Sequence, residues 1–183
     1  MKLFPNPKRN RIKLLDEFKG KKILNLTHKY PIGRLPPTAK HEEIDYNLTQ
    51  FPWPIQDNTY DLILCQHVLE HLPDTAKTLE ELNRIAASGA KILIETPHYT
   101  WFEAYRNFQN CHRFSLGSFD YFIKGNPFYK TDFHLHDKYL FFDDFMFLIG
   151  IGFLANIFPR QYEKRLAFIF PATSFQVTFR VEK

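Results

Sequence analysis

The chain has 183 residues, 44% of them hydrophobic, which is enough for one sizeable core and too short for two ordinary domains, so residues 1–183 read as a single domain. The formal charge of +4 is unevenly spread: residues 1–40 hold eleven Lys or Arg against Asp16 and Glu17, while the remainder holds thirteen against eighteen acids. Two cysteines, Cys65 and Cys111, exclude a disulfide framework, and the most apolar window, residues 145–154, falls well short of the roughly 20 residues a bilayer-spanning helix needs.

In chain order, Ile12, Leu15 and Phe18 recur at helical spacing up to Gly20, making residues 1–22 a basic helical lead-in. Ile23-Leu24-Asn25-Leu26 then reads as a short buried strand. Residues 27–41, with Pro31, Gly33, Pro36 and Pro37, carry no apolar period and read as loop. Residues 43–48 have strand character, and Phe51-Pro52-Trp53-Pro54 with Asp57-Asn58 is turn chemistry. Leu62-Ile63-Leu64-Cys65 is a continuous apolar run, as expected of a strand covered on both faces. Residues 75–87 place Leu79, Leu82, Ile85 and Ala86 opposite Glu80, Glu81 and Arg84, an amphipathic helix closed by Ser88-Gly89. Lys91-Ile92-Leu93-Ile94-Glu95 is the next strand, so this stretch is a βαβ unit with parallel neighbours. Strands are also expected near residues 133–141 and 175–181, with helix between them. Residues 145–154 read as a buried helix, and their phenylalanines leave open a face turned to a membrane or a partner.

Met1-Lys2-Leu3-Phe4-Pro5 leads into Lys8, Arg9 and Arg11 and not into an apolar run, which is not a signal-peptide pattern. With so few cysteines, a reducing, cytoplasmic setting is expected. The basic residues 1–40 suit nucleic acid, anionic lipid or an acidic small molecule, or simply a solvated face. Phe4, Phe18 and Tyr30 are too scattered to form a base-stacking platform.

His67-Val68-Leu69-Glu70-His71 spells H-x-x-E-H, a zinc-peptidase pattern. A zinc site needs both histidines and the acid on one long helix, with a further ligand from elsewhere. Here the pattern starts directly after a buried strand, and Pro73 stops any helix within about two turns. His98, His112, His134 and His136 stand at no telling spacing, so no metal is expected. The context fits the end of a central strand in a doubly wound sheet, where Cys65, Gln66 and His67 face a ligand crevice.

The stretch DNTYDLILCQHVLEHL, residues 57–72, with LEELNRI and GAKILIETPH following, resembles the strand-four region of class I S-adenosylmethionine-dependent methyltransferases. The likeness is greatest to small type 11-like domains, because NLTQFPWP, CHRF with SFDYF, and FPR with FPA also follow in that order. It implies a Rossmann-like α/β sheet, mostly parallel with an antiparallel C-terminal strand, and S-adenosylmethionine as cofactor. It also implies cofactor contacts from Asn25, Leu26, Asn47, Leu48, Cys65, Gln66 and His67. Lys29 or Arg34 is the replacement expected at the cofactor carboxylate.

The pattern breaks after the first strand. The family's Gly-x-Gly loop lets the backbone approach the cofactor closely, but Thr27-His28-Lys29-Tyr30-Pro31 stands there instead. Between Leu26 and Ile44 there is too little chain for both a helix and a second strand, so the sheet is expected to be trimmed near strand 2. Glu42 or Glu43 is left as the ribose-binding acid, unassigned between them. Three readings stand: a divergent methyltransferase, a degenerate fold kept as a binding or partner subunit, and an RNA-associated protein that uses the basic residues 1–40. For the enzyme, His98 and His112 are the candidate catalytic residues, and Tyr99, Trp101 and Arg113 are the acceptor pocket.

Overall fold

The computed structural model describes residues 17–18, 21–26, 40–43 as backbone, 47–129 and 131–183. Among these, one sheet is built from β1 (Lys22–Asn25), β2 (Lys40–Glu43), β3 (Tyr60–Gln66), β4 (Ala86–Pro97), β5 (Phe133–Phe141) and β6 (Ser174–Val181). The order across it is β2-β1-β3-β4-β6-β5. The first four run parallel, and β6 lies antiparallel between β4 and β5. This is the mostly parallel α/β sheet with an antiparallel C-terminal strand that the sequence implies.

Helix α1 (Thr75–Ile85) joins β3 to β4. The Asp74 carboxylate accepts from the Lys77 amide at 2.9 Å, satisfying a donor that the first turn leaves open. Leu79, Leu82 and Ile85 recur at helical spacing and are fully buried. The helix stops two residues short of the expected 87, because Ala86 is already extended and pairs with Tyr60. Gly89, with φ +80, lies in the stretch where the β3–β4 register shifts.

Strand alternation splits the apolar residues between two faces. Leu24, Ile63, Cys65, Ile92 and Ile94 join the larger core. Ile23, Leu62, Leu64 and Leu93 form a smaller cluster on the other side with Phe18. Lys91 reaches the Glu17 carboxylate at 2.9 and 3.0 Å. Of the lead-in expected over residues 1–22, only Glu17, Phe18, Lys21 and Lys22 are described, and Lys22 already opens β1, while residues 27–39 of the expected loop lie outside the described residues.

The trimming near strand 2 takes the form of a four-residue edge strand, earlier in the chain than residues 43–48. It pairs with β1 so that Glu43 stands opposite Asn25.

The single buried helix expected over residues 145–154 is corrected. Gly150, with φ +82, adopts a conformation that side chains disfavour and divides the run into α3 (Asp144–Leu148) and α4 (Ile151–Ile157), followed by α5 (Pro159–Arg165). A short helix α2 (Glu103–Arg106) precedes them. Gly152 and Ala155 of α4 turn inward, while Phe145, Leu148, Ile149 and Leu154 are exposed. Asn156 holds α4 to β5. Its amide donates to the Leu140 carbonyl at 2.9 Å and its oxygen accepts from the Leu140 amide at 2.8 Å.

Candidate functional site

Chain order reverses at β1, with β2 on one side and β3 on the other. In parallel sheets such a switch point places a ligand crevice at the carboxyl ends of the strands. Asn25 and Leu26 close β1 there, Glu43 closes β2, and Gln66 and His67 close β3. The Leu26 amide donates to the Leu64 carbonyl at 2.9 Å, tying the two central strand ends together.

His67 has φ +54, a left-handed conformation uncommon for a residue with a side chain. It turns the chain from β3 into a single 3-10 turn, Leu69–His71. Its amide donates to the Glu95 carbonyl at 2.8 Å. Its ring lies between two carboxylates, with Nδ1 3.4 Å from Glu70 Oε1 and Nε2 3.8 Å from Glu95 Oε1. Glu95 also accepts from Gln66 Nε2 at 2.5 Å and from Ser174 Oγ at 3.4 Å. Both acids are buried, and Glu70 Oε2 has no hydrogen-bond partner among the described residues. Sequence reasoning does not single out either acid for this cluster. The available signal is an acid that closes the apolar run Ile92-Leu93-Ile94. Among the described residues, no three His, Cys, Asp or Glu side chains converge as metal ligands.

Cys65, expected at the crevice, is instead fully buried in the larger core. Burial first, and the Glu70 charge second, push its thiol up. Asn47 is exposed, and its side-chain oxygen accepts from the Thr49 amide at 3.0 Å and hydroxyl at 2.8 Å. Leu48 packs against the larger core and gives its carbonyl to Trp53 Nε1 at 3.1 Å. Both therefore shape the turn that precedes β3. Lys29, Arg34 and most of the basic residues of 1–40 lie outside the described residues.

Past β4, His98 is fully buried. The Thr100 amide points at its Nδ1 at 3.4 Å, so Nδ1 accepts, also from the Thr100 hydroxyl at 2.7 Å, and Nε2 donates to Glu163 Oε1 at 3.2 Å. Glu163 accepts from the Leu116 amide at 2.6 Å, and the Tyr99 hydroxyl donates to the Glu163 carbonyl at 3.2 Å. The rings of Tyr99, Tyr162 and Phe175 surround the imidazole. His98, a candidate base by sequence, is thus fully buried with both ring nitrogens engaged in internal hydrogen bonds. His112 Nε2 donates to the Pro73 carbonyl at 3.0 Å, and the Cys111 and His112 amides donate to the Glu70 carbonyl. This loop thus docks on the turn after β3. Trp101 packs beside Phe102, and the exposed Arg113 lies 4.7 Å over the Tyr105 ring. The structure brings His98, Tyr99 and Trp101 together at the end of β4, and joins His112 to the His67 turn through Glu70.

A family model of the methyltransferase domain matches residues 10–132. The chain belongs to that family. Methyltransferase-domain relatives include ajmaline N-methyltransferase of Rauvolfia serpentina, 49% identical over 41 residues that make up 22% of this chain and 14% of that protein. Tocopherol O-methyltransferase of Arabidopsis thaliana is 44% identical over 43 residues, 24% of this chain and 12% of that protein. The chain thus matches only a small part of these two relatives. Among solved structures, the YcgJ protein of Bacillus subtilis has a TM-score of 0.61 at 11% identity, covering 96% of this chain and 98% of that one. A SAM-dependent methyltransferase of Archaeoglobus fulgidus has a TM-score of 0.59 at 13% identity, covering 94% and 92%. A Haloferax volcanii protein solved in complex with the Trm112 methyltransferase activator has a TM-score of 0.59 at 11% identity, covering 94% and 89%. At such identities the likeness is one of fold, the Rossmann-like class I sheet.

Proposed function

We propose that this methyltransferase-domain chain binds S-adenosylmethionine at the switch point and carries its methyl group to an acceptor held beside the end of β4. The carrying observation is the reversal of strand order at β1, which brings Asn25, Gln66 and His67 to adjoining carboxyl ends with Glu43 at the level of Asn25. This donor set suits a nucleoside: amide and imidazole groups for polar edges, and an acid at the end of the second strand for ribose hydroxyls. When bound, S-adenosylmethionine supplies an activated methyl group on a sulfonium. The chain's own contribution is to align an acceptor and exclude water. His67 is oriented by Glu70 and Glu95, while Tyr99 and Trp101 wall the acceptor side. His98 is a positioning residue that holds this wall through Thr100 and Glu163.

The absence of glycine from residues 23–30 favours a second reading, in which the fold is kept to bind a partner protein. Calorimetric titration with S-adenosylmethionine, and separately with S-adenosylhomocysteine, decides between them. Micromolar binding is expected, with His67→Asn, which tolerates the left-handed backbone, weakening it at least about tenfold. No binding up to about millimolar, roughly −4 kcal/mol, would remove the cofactor reading and leave the partner reading.

A further inference from the structure

The helices between β5 and β6 expose an apolar surface that the cofactor reading does not use. Leu148 is 83% exposed and Phe168 80%, and Phe145, Leu154, Phe158 and Ile169 are each more than half exposed. They come from α3, α4, the start of α5 and the turn that follows it, and these helices pack in sequence against one another. Exposed apolar residues gathered in this way mark an interaction surface.

Its charge indicates what it meets. From Phe145 to Phe170 the basic residues are Arg160, Lys164 and Arg165, all exposed, and the single acid is Glu163. Glu163 is turned inward, with its carboxylate on His98 and the Leu116 amide. Asp143 and Asp144 stand at the start of α3, and Asp143 is engaged as its cap, accepting from the Met146 amide at 2.9 Å. Arg160, Lys164 and Arg165 make no ion pair among the described residues, so the surface pairs apolar side chains with cations on neighbouring turns, while the exposed carboxylates of Asp143 and Asp144 stand at its α3 end. Anionic lipid headgroups over an acyl layer match this pairing: the aromatic and aliphatic groups enter the interface and the cations meet phosphate. The patch adjoins the acceptor wall, because Phe168 packs edge-on against Tyr99 at 5.5 Å between ring centroids.

We propose that the α3–α5 surface seats this protein on an anionic membrane. The inference is independent of cofactor binding, so calorimetric failure of the cofactor reading would leave it standing. Its test is co-sedimentation of the full chain with phosphatidylcholine vesicles and with vesicles that also carry phosphatidylglycerol. Binding is expected to the anionic vesicles, and to weaken at least about tenfold in the double variant Leu148→Asp with Phe168→Asp. It should fall about fivefold for each of Arg160, Lys164 and Arg165 changed to Ala, with circular dichroism unchanged in every variant.

Three outcomes would overturn the proposal. One is the absence of vesicle binding. Another is binding that survives the double variant and is lost in Lys8→Ala with Arg9→Ala and Arg11→Ala, which would assign it to the basic residues 1–40. The last is self-association in sedimentation velocity that the double variant abolishes while vesicles remain unbound, which would make the surface an interface between copies.

Discussion

His98 stands directly after β4, fully buried at the carboxyl end of that strand. Both ring nitrogens are committed, one to Thr100 and the other to Glu163, with the imidazole fully buried among aromatic rings. Removing it would leave the Thr100 hydroxyl and the Glu163 carboxylate short of a partner and open a cavity. His98→Ala is therefore expected to cost about 3 kcal/mol in denaturant unfolding; a cost below about 1 kcal/mol would show that the ring does not hold the wall. The place of His98 on the chain is legible in the sequence. Its closure is not, because Glu163 lies 65 residues away and no local pattern announces their meeting. His67 is the converse case, since its strand-end position is readable from the apolar run before it, whereas its flanking by Glu95 depends on the pairing of β3 with β4.

At the scale of elements, the run of residues 145–154 shows how one glycine redirects a hydrophobic stretch. A continuous helix over this run would be apolar on every side and would have to be buried. The left-handed turn at Gly150 instead separates α3 from α4, and Asn156 fixes α4 on β5 through both backbone groups of Leu140. Close packing at this corner depends on Gly152, where a Cβ would stand 2.8 Å from Phe147 Cδ1. Gly152→Ala is expected to displace the Phe147 ring and lower stability by about 1–2 kcal/mol. Equal or greater stability in thermal unfolding would mean that the ring moves aside freely and that the corner is not tightly packed. The amphipathic helix α1 is the opposite case: its period, its Asp74 cap and its buried face are all local properties, and the expected element formed within two residues of its expected end.

Across the molecule, Arg84 ties distant segments together. Its guanidinium donates to Glu81, to the carbonyls of Trp53 and Ile55, and to Asp57, while its own carbonyl accepts from Lys183 Nζ at 2.9 Å. The segment before β3, helix α1 and the end of β6 thus meet at one residue. Burial pushes the Glu81 carboxyl up, but the Arg84 hydrogen bond, the Trp53 amide and the Arg84 charge together bring it below its usual value of 4.5. A carboxyl lowered by folding contributes stability that is fully present above its unfolded value and is lost as pH falls through the folded value. Urea midpoints measured from about pH 7 down to about pH 3 are expected to fall in the wild type below the usual carboxylate value. Glu81→Gln should lower the midpoint at neutral pH and flatten that acid limb. Parallel curves for the two proteins would show that Glu81 gives the network no pH-dependent strength.

By itself the sequence determined the features that arise from neighbours along the chain. These are the βαβ unit of residues 57–98, a strand near residues 175–181, and the resemblance to the methyltransferase family carried by residues 57–98, which in turn implies that the last strand runs antiparallel. Periodicity, caps and strand-end chemistry are local and can be read without a fold. Only the tertiary structure decided which side chains meet: Cys65 inside the core and not at the crevice, His98 against Glu163, His67 between Glu70 and Glu95, and residues 145–154 divided and exposed where a buried helix was expected. Each of these depends on where strands pair and where a turn sends the chain, so residues far apart in sequence come into contact without any signal in the residues beside them.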